Sequence, residues 1–313
     1  MWGNGKKQWV LLALYSLIGI SSLAQDSLLR DIPIIWTPDS LRNPEQLIRA
    51  RFSQDLDYFL SLSAFQFLNW NHDKKADHLI FLQSLKYQFS LSKDSSFCIS
   101  NILVHDLGFQ VFVDSITQIH PDETTLATRL SVNLHKKWNL TFSSEISSRL
   151  FNNFEYNTDD QGKPIKVLSS SFMTPLTMIF SFGIGHSWPG FGDLNLGLSS
   201  AKFTYLRDRS IFEKLNVSDF YGIPKGKNHR FEYGLSVRFL VDKDLFKKIH
   251  WNCDLLLFKN YLSPIDISLK NLFCIKINKF IKTSIQTRIL YEEKISKNLQ
   301  LENHVNIGFS IHL

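Results

Sequence analysis

The final fifteen residues, LQLENHVNIGFSIHL (299–313), keep a two-residue rhythm to the carboxyl end. Leu299, Leu301, Val305, Ile307, Phe309, Ile311 and Leu313 fall on one side. Gln300, Glu302, His304, Asn306, Gly308, Ser310 and His312 fall on the other. Successive side chains of a strand point to opposite faces, so this pattern predicts a strand with one apolar and one polar face. A helix would scatter the same apolar residues over all its sides.

The rhythm recurs from Tyr58 onward. Tyr58, Leu60, Leu62, Ala64, Leu68 and Trp70 share a face, as do Leu79, Phe81, Leu85, Tyr87, Phe89 and Leu91. Further runs cover 97–113, 126–138, 140–150, 176–188, 194–205, 231–241, 251–258, 265–277 and 281–291. With the closing run this predicts about twelve strands, each near or above the roughly nine to eleven residues that a tilted strand needs to cross a bilayer. An even number of such strands predicts an all-β fold: a transmembrane antiparallel up-and-down β-barrel that leaves no free edge.

The connections alternate in length. SKDS (92–95), KKWN (136–139), PGFGD (189–193), DKDLFKK (242–248) and Asn278-Lys279 are short or modest. Interleaved with them are NHDKKA (71–76), a long stretch around 115–125, long loops at 157–171 and 207–228, KNYLSP (259–264) and EEKISKN (292–298). Transmembrane barrels carry short turns on the periplasmic side and longer loops outside. KNYLSP is the weakest fit to that rule.

The two faces differ in chemistry. The apolar face is almost free of charge at midspan, where a charge facing lipid costs about 2–4 kcal/mol; Lys136 sits beside a turn. The other face carries Lys86, Arg129, Glu145, Arg149, Glu232, Arg238, Asp254, Asp266, Lys270, Lys276, Lys282, Arg288 and Glu302. A packed sandwich core could bury such a set only by pairing each charge, whereas a wet or ion-paired lumen accommodates it. Eight of these are basic and five acidic, which predicts a lean towards anions. Tyr58, Trp138, Trp188 and Trp251 fall at one set of strand ends. Trp70, Tyr156, Tyr205, Tyr261 and Tyr291 fall at the other, as interfacial girdles would.

Composition changes this picture little. The chain has 313 residues, 44% apolar, with 26 Phe and 3 Met. Its start carries Lys6 and Lys7, an apolar run over 9–20, and Ser22-Leu23-Ala24 before Gln25. This predicts a cleaved signal peptide over 1–24, since the apolar run is too short for a spanning helix. Residues 25–54, with Pro33, Pro38 and Pro44, read as a periplasmic tail, and 55–313 as the barrel. The three cysteines, Cys98, Cys253 and Cys274, show neither a disulfide framework nor metal spacing. The formal net charge is +6, and the cluster KGKNHR (225–230) reads as a solvated loop and not as a nucleic-acid site. His135, Glu145 and Ser147 could serve a barrel hydrolase, but read better as part of a polar lumen. No catalytic residue, metal or cofactor is predicted.

Residues 258–295, FKNYLSPIDISLKNLFCIKINKFIKTSIQTRILYEEKI, together with the closing strand, resemble an uncharacterised domain-of-unknown-function (DUF) family of Bacteroidota outer-membrane β-barrel proteins. The likeness rests on Asn260-Tyr261-Leu262, Ile265-Asp266, Ile277-Asn278-Lys279-Phe280 and Ile289-Leu290-Tyr291-Glu292-Glu293. An early FLNWN (67–71) matches the family's Asn-Trp step. The family has aspartates where Glu292 and Glu293 stand here. The strand pattern and the signal peptide together lead to the expectation of a monomer in the cell outer membrane, in contact with its lipids and lipopolysaccharide. The resemblance implies that Val305, Ile307, Phe309, Ile311 and Leu313 are read by the barrel assembly machinery.

Three functions compete at this point. One is a narrow pore or transporter for small polar solutes. Another is a structural or interaction barrel with a filled lumen and working external loops, which inward Phe65, Phe67, Leu82, Phe258 and Leu272 would favour. The last is a lipid-modifying barrel enzyme.

Overall fold

In the computed structural model the elements run, in chain order, β1 (Ala50–Leu68), β2 (Leu79–Lys93), β3 (Phe97–Val111), β4 (Thr117–His135), β5 (Trp138–Ser148), β6 (Asn153–Thr158), β7 (Pro164–Ser170), β8 (Leu176–Trp188) and β9 (Gly192–Tyr205). A single helical turn, α1 (Ile211–Lys214), then precedes β10 (Asp219–Phe220) and β11 (Ile223–Pro224). The chain closes with β12 (His229–Phe246), β13 (Ile249–Asn260), β14 (Ile265–Lys276), β15 (Ile281–Glu292) and β16 (Ser296–His312). The structure describes residues 50–68, 79–93, 96–111, 117–135, 137–158, 164–188, 190–278 and 280–312. The segments read as signal peptide and most of the tail lie outside these, as do Trp70, NHDKKA, Lys136 and Leu313.

Twelve strands form one closed ring in the order β1-β16-β15-β14-β13-β12-β9-β8-β5-β4-β3-β2. Its neighbouring strands pair antiparallel, and the ring is closed where β1 meets β16, from Asp57↔His312 to Leu68↔Leu301. β16 thus pairs on both sides, with β1 and with β15. This accounts for a rhythm that, apart from Asn303, runs to the carboxyl end: a fray there would open the ring and expose unpaired backbone groups.

The alternation sorts residues by face. Leu198, Phe231 and Phe309 on the outside are 60%, 64% and 63% exposed, whereas Gln300 and Glu302 on the inside are 1% and 2% exposed. Val305, Ile307 and Ile311 join Phe309 on the outer face. Around the carboxyl-terminal end the outer wall carries an aromatic series. Trp138 meets His186 at 4.5 Å between ring centroids, His186 meets Trp188 at 4.6 Å, and Trp188 meets Phe239 at 6.4 Å. Tyr233 and Tyr261 pair at the opposite end at 6.1 Å.

The strands joined at the carboxyl-terminal end are linked by the short segments 94–96, 136–137, 189–191, 247–248 and 277–280. The long connections, 149–175 and 206–228 among them, all fall at the other end. Three boundaries differ from the sequence reading. β1 begins at Ala50, inside the span read as a tail. β4 begins at Thr117, so most of the stretch read as a loop around 115–125 is paired strand. β12 runs to Phe246, through part of DKDLFKK. In each case strand pairing continues past the zone where the outer face must be apolar, so hydropathy loses the element before hydrogen bonding does.

Candidate functional site

The inward faces meet as a network of charges. β4 and β14 stand six places apart in the ring of twelve, on opposite walls. Glu123 of β4 nevertheless reaches Lys270 of β14 at 3.2 Å and Arg288 of β15 at 3.0 Å. A contact between strands so far apart in the ring can only cross the interior. These side chains are a quarter to two-fifths exposed, so water screens them and they add little stability. Their consequence is spatial: they bridge the lumen.

Other pairs link strands three or four places apart. Arg238 of β12 holds Glu145 of β5 at 2.8 Å, and also Asp254 on its neighbour β13 through two hydrogen bonds of 2.9 and 2.5 Å. Arg129 lies 3.4 Å from Asp193, which also accepts the Ser187 hydroxyl. Lys202 binds Asp266 at 3.0 Å and Glu292 at 2.7 Å. Glu292 in turn holds Arg230 at 2.7 Å, and Arg230 lies 2.6 Å from Glu232. Lys202, Glu232 and Glu292 are buried, where an unpaired charge would be strongly destabilising, so each depends on its partners. Beside this network, Ser181, Ser200 and Ser236 join their hydroxyls at 2.8–3.1 Å. Gly197 makes room for them: a Cβ there would sit 2.1–2.5 Å from all three oxygens.

The two long connections fold over this end of the barrel into a cap. β6 and β7 pair as a hairpin, and so do β10 and β11. Leu168 packs with Leu206, Ile211, Phe212, Phe220 and Ile223 in a small apolar core, flanked by Phe154, Leu215, Val217 and Tyr221. The segments read as plain loops at 157–171 and 207–228 therefore contain structure of their own. Asp122 anchors the start of the first one by accepting the backbone N–H groups of Leu150 (3.1 Å) and Phe151 (2.8 Å). In the second, Asp208 accepts both the N–H (2.9 Å) and the hydroxyl (2.7 Å) of Ser210. The Ser210 hydrogen bonds hold its carboxyl below the usual carboxylate range. Gly222, at φ +69°, leans on the Arg230 guanidinium, where a Cβ would lie 1.7 Å from a nitrogen. Between cap and ion pairs lies a cavity of about 270 Å³, walled by Phe154, Ile179, Tyr221 and Phe258 and by Glu123, Arg149, Lys202 and Lys270.

The structure places the thirteen charged residues singled out from sequence as follows. Glu145, Arg238 and Asp254 come together, as do Lys270 and Arg288 on Glu123. Asp266 joins Lys202, Glu232 joins Arg230, Glu302 lies 2.7 Å from His304, and Arg129 meets Asp193. Lys86, Lys276 and Lys282, with Asp57, act electrostatically on Cys274. Arg149 lines the cavity and donates to Ser170 at 2.8 Å. Phe258 and Leu82 are buried and Leu272 is half-buried; the side chains of Phe65, Phe67 and Tyr156 lie outside the described set. His135 pairs with Trp138 at the carboxyl-terminal end, seven residues along β5 from Glu145, so the two do not meet as a catalytic pair.

Glu123, Asp193, Lys202, Arg230 and Glu292 escaped the sequence reading. Glu123 sits in the stretch taken for a loop. Lys202 follows a register shift near Gly197 and Ser199 that flips the phase of β9, so strict alternation puts it on the wrong face. The small-residue run GLSS (197–200) is the signal that could have marked the shift. These residues also correct the charge count. Among the described residues, two bases, Lys202 and Arg230, and three acids, Glu123, Asp193 and Glu292, join the first set and narrow its basic excess.

No known family model matches the chain, and no curated protein sequence does. Its fold is similar to that of an outer membrane channel from Pseudomonas putida F1, at 9% identity and a TM-score of 0.40, over 87% of this chain and 99% of that one. It is similar to the translocator domain of the autotransporter NalP from Neisseria meningitidis, at 7% identity and 0.37, over 82% and 88%. It is also similar to the NanC porin, at 7% and 0.37, over 80% and 98%. Fold and site together define a class: a twelve-stranded β-barrel of transmembrane type, apolar outside and ion-paired within, under a folded cap.

Proposed function

We propose that the protein is an outer-membrane channel for small polar solutes, held closed in the conformation described here. The observation that carries this reading is the kind of material that fills the lumen. Opposite walls meet through Glu123, Lys270 and Arg288, which water can solvate and separate. A cavity lies directly beside them. A permanent plug needs no such solvent-reachable charges.

A second reading is favoured by buried Phe258 and Leu82, which occupy the interior as a filled barrel would. On that reading the cap is the working part. Planar-bilayer recording separates the two. The channel reading expects single-channel steps in molar KCl, where screening over about 3 Å loosens exposed ion pairs, and larger steps after deletion of 207–227. Silence from both proteins, with the barrel intact by its heat-dependent gel shift, overturns it in favour of the filled barrel.

A further inference from the structure

The cavity beneath the cap has an uneven set of charges. Among its lining cations, Lys202, Lys270 and Arg288 each contact a carboxylate. Arg149 does not, among the side chains described: its partner is the Ser170 hydroxyl, which takes one N–H of the five a guanidinium offers. The lining acids are already engaged. Glu123 holds Lys270 and Arg288, Glu145 holds Arg238, Asp266 and Glu292 hold Lys202, and Asp122 holds two backbone N–H groups. Among the described residues no carboxylate forms an ion pair with Arg149; Glu123, already held by Lys270 and Arg288, acts on it only electrostatically.

Two further groups in the same wall are incomplete. Asn153 and Gln300 are 5% and 1% exposed, and the Asn153 Oδ1 and Gln300 Nε2 atoms have no hydrogen-bond partner among the described residues. Both residues line this cavity. A buried amide left unpaired is destabilising, and native proteins pair nearly all of them. Phe154, Ile179, Tyr221 and Phe258 give the space an apolar wall. Its 270 Å³ equals about nine water volumes of ~30 Å³ each.

The geometry points to a binding site for a small organic acid of about ten non-hydrogen atoms. Its carboxylate lies on Arg149, its apolar body lies against Phe154 and Phe258, and a second polar group completes the Asn153 or Gln300 amide. This deepens the channel reading and rests on it for its purpose: the acid would be the solute held midway. Arg149 is suited to the part because a guanidinium pairs a carboxylate through two parallel N–H groups. The site needs no general anion preference of the lumen, only a local one.

The probe is 4-hydroxybenzoate, which matches the cavity in size, measured by equilibrium dialysis against the whole mature protein in detergent micelles. Its neutral isostere 4-hydroxybenzamide and inorganic phosphate serve as comparisons. The site predicts that the acid binds at least about tenfold more tightly than the amide, the value of one charge-assisted contact. It predicts that R149Q removes that difference and that R149K restores part of it, with the heat-dependent gel shift of the barrel retained. Equal binding of acid and amide by the native protein overturns the proposal, and so does a preference that R149Q leaves unchanged. Phosphate binding as tight as the acid overturns the organic part of it. If R149Q does not fold, the acid-to-amide ratio of the native protein alone decides. KCl conductance of the same preparation separates the two readings. Conductance without acid preference removes this site and leaves the channel; acid preference without conductance removes the channel and leaves the site.

Discussion

The cap and the barrel wall are built from the same large apolar residues and treat them in opposite ways. In the cap, Leu206, Ile211, Phe212 and Ile223 are withdrawn from solvent around a common centre. In the wall, Leu198, Phe231, Phe309 and their neighbours point away from the protein, and the centre is given to Lys202, Glu232, Glu302 and His304. One region is ordered by the expulsion of water from apolar surface. The other is ordered by satisfying every backbone group within a closed ring, with hydrocarbon as its outer solvent. A single chain therefore folds under two solvents, and the boundary between them falls where β9 hands over to the segment at Leu206.

The contrast is open to substitutions, whose effects range from large to small. Phe212→Ala should cost the cap about 3–5 kcal/mol of local stability, as a large-to-small core change does. Limited proteolysis should then cut within 206–228 while the barrel band on a gel is unchanged. Ile285→Arg, on the outer face of β15, should lower bilayer refolding stability by about 2–4 kcal/mol. Gln286→Arg, one residue on and facing inward, should have a far smaller effect in the same urea titration. Gly222→Ala places a side chain at a left-handed φ and against Arg230. It should cost about 1–2 kcal/mol, seen as faster cleavage near 221 but less than Phe212→Ala produces.

The smallest effect concerns pH. Asp208 has its folded value lowered by the Ser210 hydrogen bonds, so its contribution is present above the ordinary carboxylate range and is lost as pH falls through the lowered value. The cap of the native protein should become more protease-sensitive in strong acid, read with an acid-active protease. Asp208→Asn should flatten that part of the profile.

Much of the barrel was legible in the sequence because lipid enforces a rule that residues display one by one. Leu299 through Ile311 alternate for no reason internal to β16; the reason is what each face touches. Legibility failed where that rule lapses. Thr117 to Thr125 pairs with β3 beyond the zone of an apolar outer face, so Glu123, the residue that spans the lumen, looked like part of a loop. The phase flip near Gly197 hid Lys202 in the same way. The cap was invisible for a different cause: Leu206, Ile211, Phe212, Phe220 and Ile223 follow neither period, and only folding brings them together.

The most direct test of the account is a spin-label scan along 281–291 of β15 in lipid vesicles, with Cys98, Cys253 and Cys274 replaced by alanine. Collision with oxygen reports contact with hydrocarbon, and collision with a water-soluble nickel complex reports contact with water. The account predicts oxygen maxima at Ile285 and Ile289 and oxygen minima at Ser284, Gln286 and Arg288. Oxygen accessibility at Ile285 and Ile289 no higher than at Gln286 would contradict it.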